Sequence, residues 1–143
     1  MSKIYWAAPL HDAEDRERNA KYVRMLREQG HKVYVPQEHG VWEQTLDQFG
    51  GDVEKTRKHF YELDLKACKE ADICIACAGD MEHQRAPSEG MIWEMGFMFG
   101  CQKTVLLFNE KGYWDYNLML EFSSHMFTNF NDILLFLSEE EFV

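Results

Sequence analysis

Positive charge is scarce in this chain: 15 Lys+Arg stand against 25 Asp+Glu in 143 residues, a formal net charge of −10. That balance repels a phosphate backbone, so binding a nucleic-acid polymer is excluded as the principal role. No apolar run nears the roughly 20 residues a membrane-spanning helix requires. Met1-Ser2-Lys3 leads straight into a strand-like stretch rather than a signal peptide. The chain therefore reads as cytoplasmic and soluble, without a membrane partner. Cysteines number four, Cys68, Cys74, Cys77 and Cys101. Cys74 and Cys77 have CxxC spacing, but they lie in the run Ile73-Cys74-Ile75-Ala76-Cys77-Ala78, where a strand would send them to opposite faces. Small buried thiols account for all four. The six histidines show no HExxH or other metal spacing. Walker A and dinucleotide-binding glycine patterns are missing too, so neither metal nor organic cofactor is expected.

Repeats and low-complexity tracts are absent, and prolines number three. What the chain does have is 45% hydrophobic and 14% aromatic residues, too many for a disordered polymer. A length of 143 residues fits one domain, 1–143, able to bury about 68–70% of its unfolded surface.

Periodicity alternates short apolar runs with helical stretches. Strands are expected at 3–8, 33–35, 72–78 and 104–108, and helices at 12–29, 53–70 and 90–102. Shorter helices are expected around 41–49 and 116–123; residues 79–87 read as a polar loop, and 130–137 closes the chain. Gly30 is placed to stop the first helix, and Pro9 and Pro36 to end strands. Strands separated by helices imply parallel pairing and a three-layer α/β/α sandwich. A ligand then lies beyond the carboxyl ends of the strands, among residues 6–9, 36–40 and 79–89. Trp6, Trp42 and Trp93 fall at or near this crevice, where a flat apolar wall would suit a nucleobase.

Two acids break the pattern. Glu94 is the one charged side chain from Gly90 to Gln102, in a stretch apolar nearly all round. Burying a lone carboxylate costs several kcal/mol, so it is either on an exposed sliver of helix, paired with a distant Arg or Lys, or functional. Gly90, one turn earlier, leaves open space beside it. Asp64 has Phe60, Tyr61, Ala67 and Cys68 as its neighbours at helical spacing, so it sits on a stripe that should face the core. Desolvation there would raise its pKa and let it hold a proton near neutrality; an ion pair or a bond to a loop backbone is the alternative. Ser88 is placed to cap the helix that carries Glu94, at an N-terminus that also favours an oxyanion.

Five segments in register now resemble the nucleoside 2-deoxyribosyltransferases. They are Lys3-Ile4-Tyr5-Trp6-Ala7-Ala8-Pro9-Leu10, Tyr34-Val35-Pro36-Gln37-Glu38, Asp64-Leu65 before Ala71-Asp72, Gly90 through Trp93-Glu94-Met95-Gly96, and Asn117-Leu118-Met119. The resemblance implies a flavodoxin-like subunit with a parallel sheet of about five strands, in which Glu94 attacks the anomeric carbon of a 2-deoxyribosyl group. Asp64 would protonate the departing base, and Tyr5 would hold the nucleophile. Asn117 would reach a neighbouring subunit's site, which implies a homo-oligomer, and Met119 of the same element is a substrate-contact candidate. Gly90, Trp6 and Gln37 are further substrate-contact candidates, though which of Gln37, Glu38 and Trp42 touches the base stays open. Substrates would be a nucleoside, or its 5-monophosphate, and a free nucleobase.

Ser88 departs from the aspartate usual in transferases acting on free nucleosides. Pro87-Ser88-Glu89-Gly90 is locally similar to the 2-deoxynucleoside 5-monophosphate N-hydrolases, in which serine contacts phosphate; Arg85 lies close enough to assist. Against that, residues 9–14 lack the glycine- and arginine-rich stretch of those hydrolases. Three readings follow: a transferase, a nucleotide N-hydrolase, and a nucleotide-sensing module without turnover. Retention of Tyr5, Asp64 and Glu94 argues against the last, because a binder gains nothing from two desolvated acids.

Overall fold

The computed structural model describes residues 2–78, 88–112 and 116–139. Among them five strands, β1 (Lys3–Ala7), β2 (Lys32–Tyr34), β3 (Ile73–Cys77), β4 (Thr104–Phe108) and β5 (His125–Phe127), form one wholly parallel sheet. Its order is β2-β1-β3-β4-β5, the flavodoxin-like arrangement, with the reversal between β1 and β3. The helices are α1 (Ala13–Glu28), α2 (Trp42–Gln48), α3 (Val53–Glu70), α4 (Glu89–Gly100), α5 (Leu118–Phe122) and α6 (Phe130–Glu139). A 3₁₀ turn at Pro36–Glu38 follows β2.

Side-chain alternation along each strand builds the two outer layers. Ile4 and Trp6 of β1, Ile73 and Ile75 of β3, and Leu106 and Phe108 of β4 pack with Tyr22, Val23 and Leu26 of α1 and Ile133 and Leu137 of α6. Tyr5 and Ala7, Cys74 and Ala76, and Val105 and Leu107 face the other way, onto Ala67 and Cys68 of α3, Met91, Met95 and Met98 of α4 and Leu120 of α5. Residues of β3 are buried without exception because helices cover both of its faces. Cys74 and Cys77 accordingly fall in opposite layers. Cys101, expected to be a buried thiol, is exposed, because it lies just past the end of α4.

Local chemistry fixes the helix ends. Asp12 accepts from the Asp15 N–H at 2.8 Å and Asp52 from the Lys55 N–H at 3.1 Å, each capping the first turn of its helix. At the far end of α3, Lys103 Nζ donates to the carbonyls of Cys68 (2.9 Å), Lys69 (2.5 Å) and Ala71 (2.5 Å), groups that otherwise lack partners within the helix.

Two expectations need correction. The stretch around Glu94 is not buried all round: α4 turns Met91, Met95 and Met98 into the core, while Ile92, Trp93 and Phe99 are 36%, 49% and 53% exposed. Its buried methionines recur at helical spacing, and packing against one sheet covers one side only. Secondly, β5 had no place in the sequence reading. It is three residues long at the sheet's edge and half-exposed, too short to print a period of two. The expected loop at 79–87, with Arg85 and Pro87, lies outside the described residues.

Candidate active site

Tyr5 and Tyr34 are register partners on the neighbouring strands β1 and β2, so both side chains emerge toward α3 and α4. Their rings stack at 5.6 Å between centroids, 14° from parallel. His39, just past the 3₁₀ turn, also stacks with Tyr34, at 4.1 Å and 10°. The Tyr5 hydroxyl donates to Glu94 Oε2 on α4, and the Tyr34 hydroxyl donates to Asp64 Oδ1 on α3 at 3.0 Å. Each acid is thus held by one of two stacked phenols.

Burial sets the charge of this group. Removal from water pushes the Glu94 carboxyl up to about 7; the negative charge of Asp64 adds to the rise and the Tyr5 hydrogen bond opposes it. Asp64 is also raised, chiefly by burial, against the pull of the Tyr34 hydrogen bond and of His39. Tyr5 and Tyr34 are driven well above the ordinary phenol range, first by burial and then by the acids, so both remain donors. The Cys68 thiol beside them is pushed up to about 12, mainly by burial, and stays protonated. Both carboxyls are therefore held above their ordinary range, chiefly by burial.

Two cavities meet at these acids, and Asp64, Gly90 and Glu94 line both. One, of about 380 Å³, runs between α3 and α4 past Tyr61, Cys68 and Trp93. The other, of about 530 Å³, opens beyond the strand ends among Pro9, His11, Pro36, Ser88 and Glu89. A Cβ built on Gly90 would meet no atom of the described residues within 4 Å, and Gly90 lines both cavities. Ser88 occupies the N-cap position of α4, but its hydroxyl makes no capping bond. Among the described residues no Lys or Arg pairs with either acid, and no cluster of three His, Cys, Asp or Glu could hold a metal ion.

The structure therefore brings Tyr5, Asp64, Ser88, Gly90 and Glu94 together. Trp6 does not join them. It is fully buried in the opposite layer, with its Nε1–H donating to Asn19 Oδ1 at 3.0 Å, because adjacent strand residues cannot face the same side. Gln37 is also committed elsewhere: its Oε1 accepts from Asn19 Nδ2 at 2.9 Å and its Nε2 donates to the Arg16 carbonyl at 3.0 Å. Asn19, buried to 1%, donates in addition to the Pro9 carbonyl at 2.9 Å, tying both cavity-lining loops to α1. Trp42 stacks on Phe60 away from the cavities, whereas Trp93 lines one of them. Asn117 caps α5, accepting from the Met119 N–H at 2.9 Å, and neither residue lines these two cavities. Arg85 lies outside the described residues. Tyr34, His39 and Tyr61 went unassigned by the sequence; the first was quoted in a motif, but only the β1–β2 register gives it a role.

A family model described as nucleoside 2-deoxyribosyltransferase matches residues 4–129. Among solved structures, the chain is similar to a 2-deoxyribosyltransferase from the psychrotolerant bacterium Bacillus psychrosaccharolyticus, with a TM-score of 0.74 and 29% identity over 98% of this chain and 93% of that one. A 2-deoxyribosyltransferase from Leishmania mexicana shares the fold at a TM-score of 0.69 and 18% identity, covering 99% of each chain. So does a CMP N-glycosidase from Clostridium botulinum, at 0.57 and 18%, over 95% of this chain and 98% of that one. No curated protein matches significantly.

Proposed function

The chain belongs to the nucleoside 2-deoxyribosyltransferase family and is a glycosyl-transferring or N-glycosidase enzyme; we propose that it cleaves the N-glycosidic bond of 2-deoxynucleosides through a covalent deoxyribosyl-glutamate and passes the sugar to another nucleobase. Glu94 Oε1, the oxygen left free by Tyr5, attacks the anomeric carbon as the bond to the base nitrogen breaks. The bonding pair leaves with the base, and Asp64 delivers a proton to it. An acceptor base then attacks the same carbon, returns a proton to Asp64 and releases Glu94 as carboxylate. This is the double displacement of retaining glycosidases with a nucleobase replacing water. The observation that carries the reading is Glu94 itself: half-buried, held by a phenol, next to a second acid and open to two cavities.

Cavities of about 380 and 530 Å³ are of the size that takes small ligands. The exposure of Leu118 (61%), Met119 (70%) and Phe122 (82%) supports a homo-oligomer in which Asn117 and Met119 complete a neighbour's site. One observation favours a second reading, hydrolysis of 2-deoxynucleoside 5-monophosphates. The uncommitted Ser88 hydroxyl, at the start of α4 and on the larger cavity, is suited to an anionic oxygen.

Intact-mass analysis after treatment with a 2-fluoro-2-deoxy nucleoside tests the mechanism. A stable sugar adduct on the wild type and none on Glu94→Ala is expected. Base release without an adduct, or an adduct on both, overturns it. Incubation with deoxycytidine or dCMP, each with and without adenine, separates transfer from hydrolysis by the acceptor dependence of free base.

A further inference from the structure

β2 is an edge strand and ends at Tyr34, half-buried, whose ring stacks with two others. Tyr5 and His39 both stack near-parallel with it, at 5.6 and 4.1 Å between centroids, which restrains the ring that delivers the hydroxyl to Asp64. Among the described residues the hydrogen bond to the Asp64 carboxyl comes from Tyr34, at 3.0 Å and onto Oδ1. A carboxylic acid carries its proton on one oxygen, and an oxygen that already accepts a hydrogen bond from a neutral phenol is the poorer place for it.

We propose that Tyr34 is the positioning residue of the general acid, holding Asp64 Oδ1 so that the transferable proton resides on Oδ2. The inference rests on the reading of Asp64 as the acid that protonates the leaving base. Tyr5 and Tyr34 then divide the labour, each fixing one oxygen of one carboxyl and leaving the other for chemistry. Several titratable groups surround Asp64: Tyr34 from β2, His39 beyond the 3₁₀ turn, Tyr5 from β1, Glu94 from α4, and Tyr61 and Cys68 from its own helix, with His11 and Glu89 along the larger cavity. Only the Tyr34 hydroxyl can be deleted at Asp64 while every one of those charges and the ring stack stay in place.

Tyr34→Phe is that deletion. Its kcat for base release from a deoxynucleoside should fall about tenfold at neutral pH, with KM little changed. Loss of a donor to the ionised form makes Asp64 harder to ionise, so the alkaline limb of the pH profile should move to higher pH, as should the Asp64 carboxyl resonance followed by NMR titration. In an Asp64→Asn background the same change should cost nothing further. An unmoved alkaline limb and carboxyl titration, or an equal loss in both backgrounds, would reduce Tyr34 to packing and overturn the inference. Should Asp64→Asn by itself release base at the wild-type rate, the assignment of Asp64 as acid fails, and the inference falls with it.

Discussion

Tyr5 and Glu94 are 89 residues apart in the chain and are joined by a hydrogen bond from the phenol to the carboxylate. The bond stabilises the ionised carboxylate, the form that attacks, against the burial that disfavours it. Tyr5→Phe should therefore raise the Glu94 pKa and move the acidic limb of kcat/KM to higher pH. It should also reduce turnover at pH 7 by about ten- to a hundredfold, the value of a hydrogen bond to a charged group. Steady-state base release across pH checks both.

Stability should move in the opposite sense to activity at Glu94. Its carboxyl titrates near 7 when folded against a reference of 4.5, so the folded state binds more protons in that window. Stability then declines as pH rises from about 4.5 to about 7, by about 3 kcal/mol in all. Glu94→Gln removes the decline. Urea unfolding should find the variant more stable than wild type at pH 8, with the gap shrinking toward pH 4.5; a gap independent of pH would contradict the burial assigned to this carboxyl.

Gly90→Ala separates folding from binding. The new methyl meets no atom of the described residues and sits on a helix, where alanine is favoured over glycine by up to about 1 kcal/mol. Melting temperature should rise slightly. Because the methyl projects into space shared by both cavities, kcat/KM should drop about tenfold or more; unchanged kinetics would mean that substrate does not approach this face.

Asn19 links Trp6, Pro9 and Gln37, so Asn19→Leu strands a buried indole N–H and releases two loops. A loss of about 2–3 kcal/mol in chemical denaturation is expected from the unpaired groups. Trp6→Phe, which deletes the donor instead of stranding it, should cost less.

Subunit exchange tests Asn117. Glu94→Ala and Asn117→Ala chains, each impaired alone, should regain base release when mixed, because some sites then draw an intact residue from either chain. No recovery in a mixture shown by mass to contain hybrid oligomers would count against a shared site.

The layered fold is legible in the sequence because parallel strands buried on both faces read as unbroken apolar runs, and Ile73-Cys74-Ile75-Ala76-Cys77 is one. Glu94 and Asp64 stand out because charge on an apolar stripe must be explained. Trp6 was misplaced by proximity: it lies next to Tyr5 in the chain, and strand alternation sends it to the other layer. Gln37 is expected on substrate from its place in the Tyr34–Glu38 segment, and the structure commits it instead to Asn19, on a helix eighteen residues earlier, a pairing that local sequence does not show. Tyr34 needs the pairing of β1 with β2 before its hydroxyl can be aimed, and pairing is not written in either strand alone.

That pairing makes the aim of the Tyr34 hydroxyl depend on how the edge strand is threaded. Sliding β2 by one residue along β1 would rotate Tyr34 to the far layer and bring up Val33, which has no hydroxyl to offer. A mis-threaded molecule would lack the Tyr34 bond to Asp64 and run about tenfold slower, so a preparation containing some would show its full number of sites divided between a fast and a slow population.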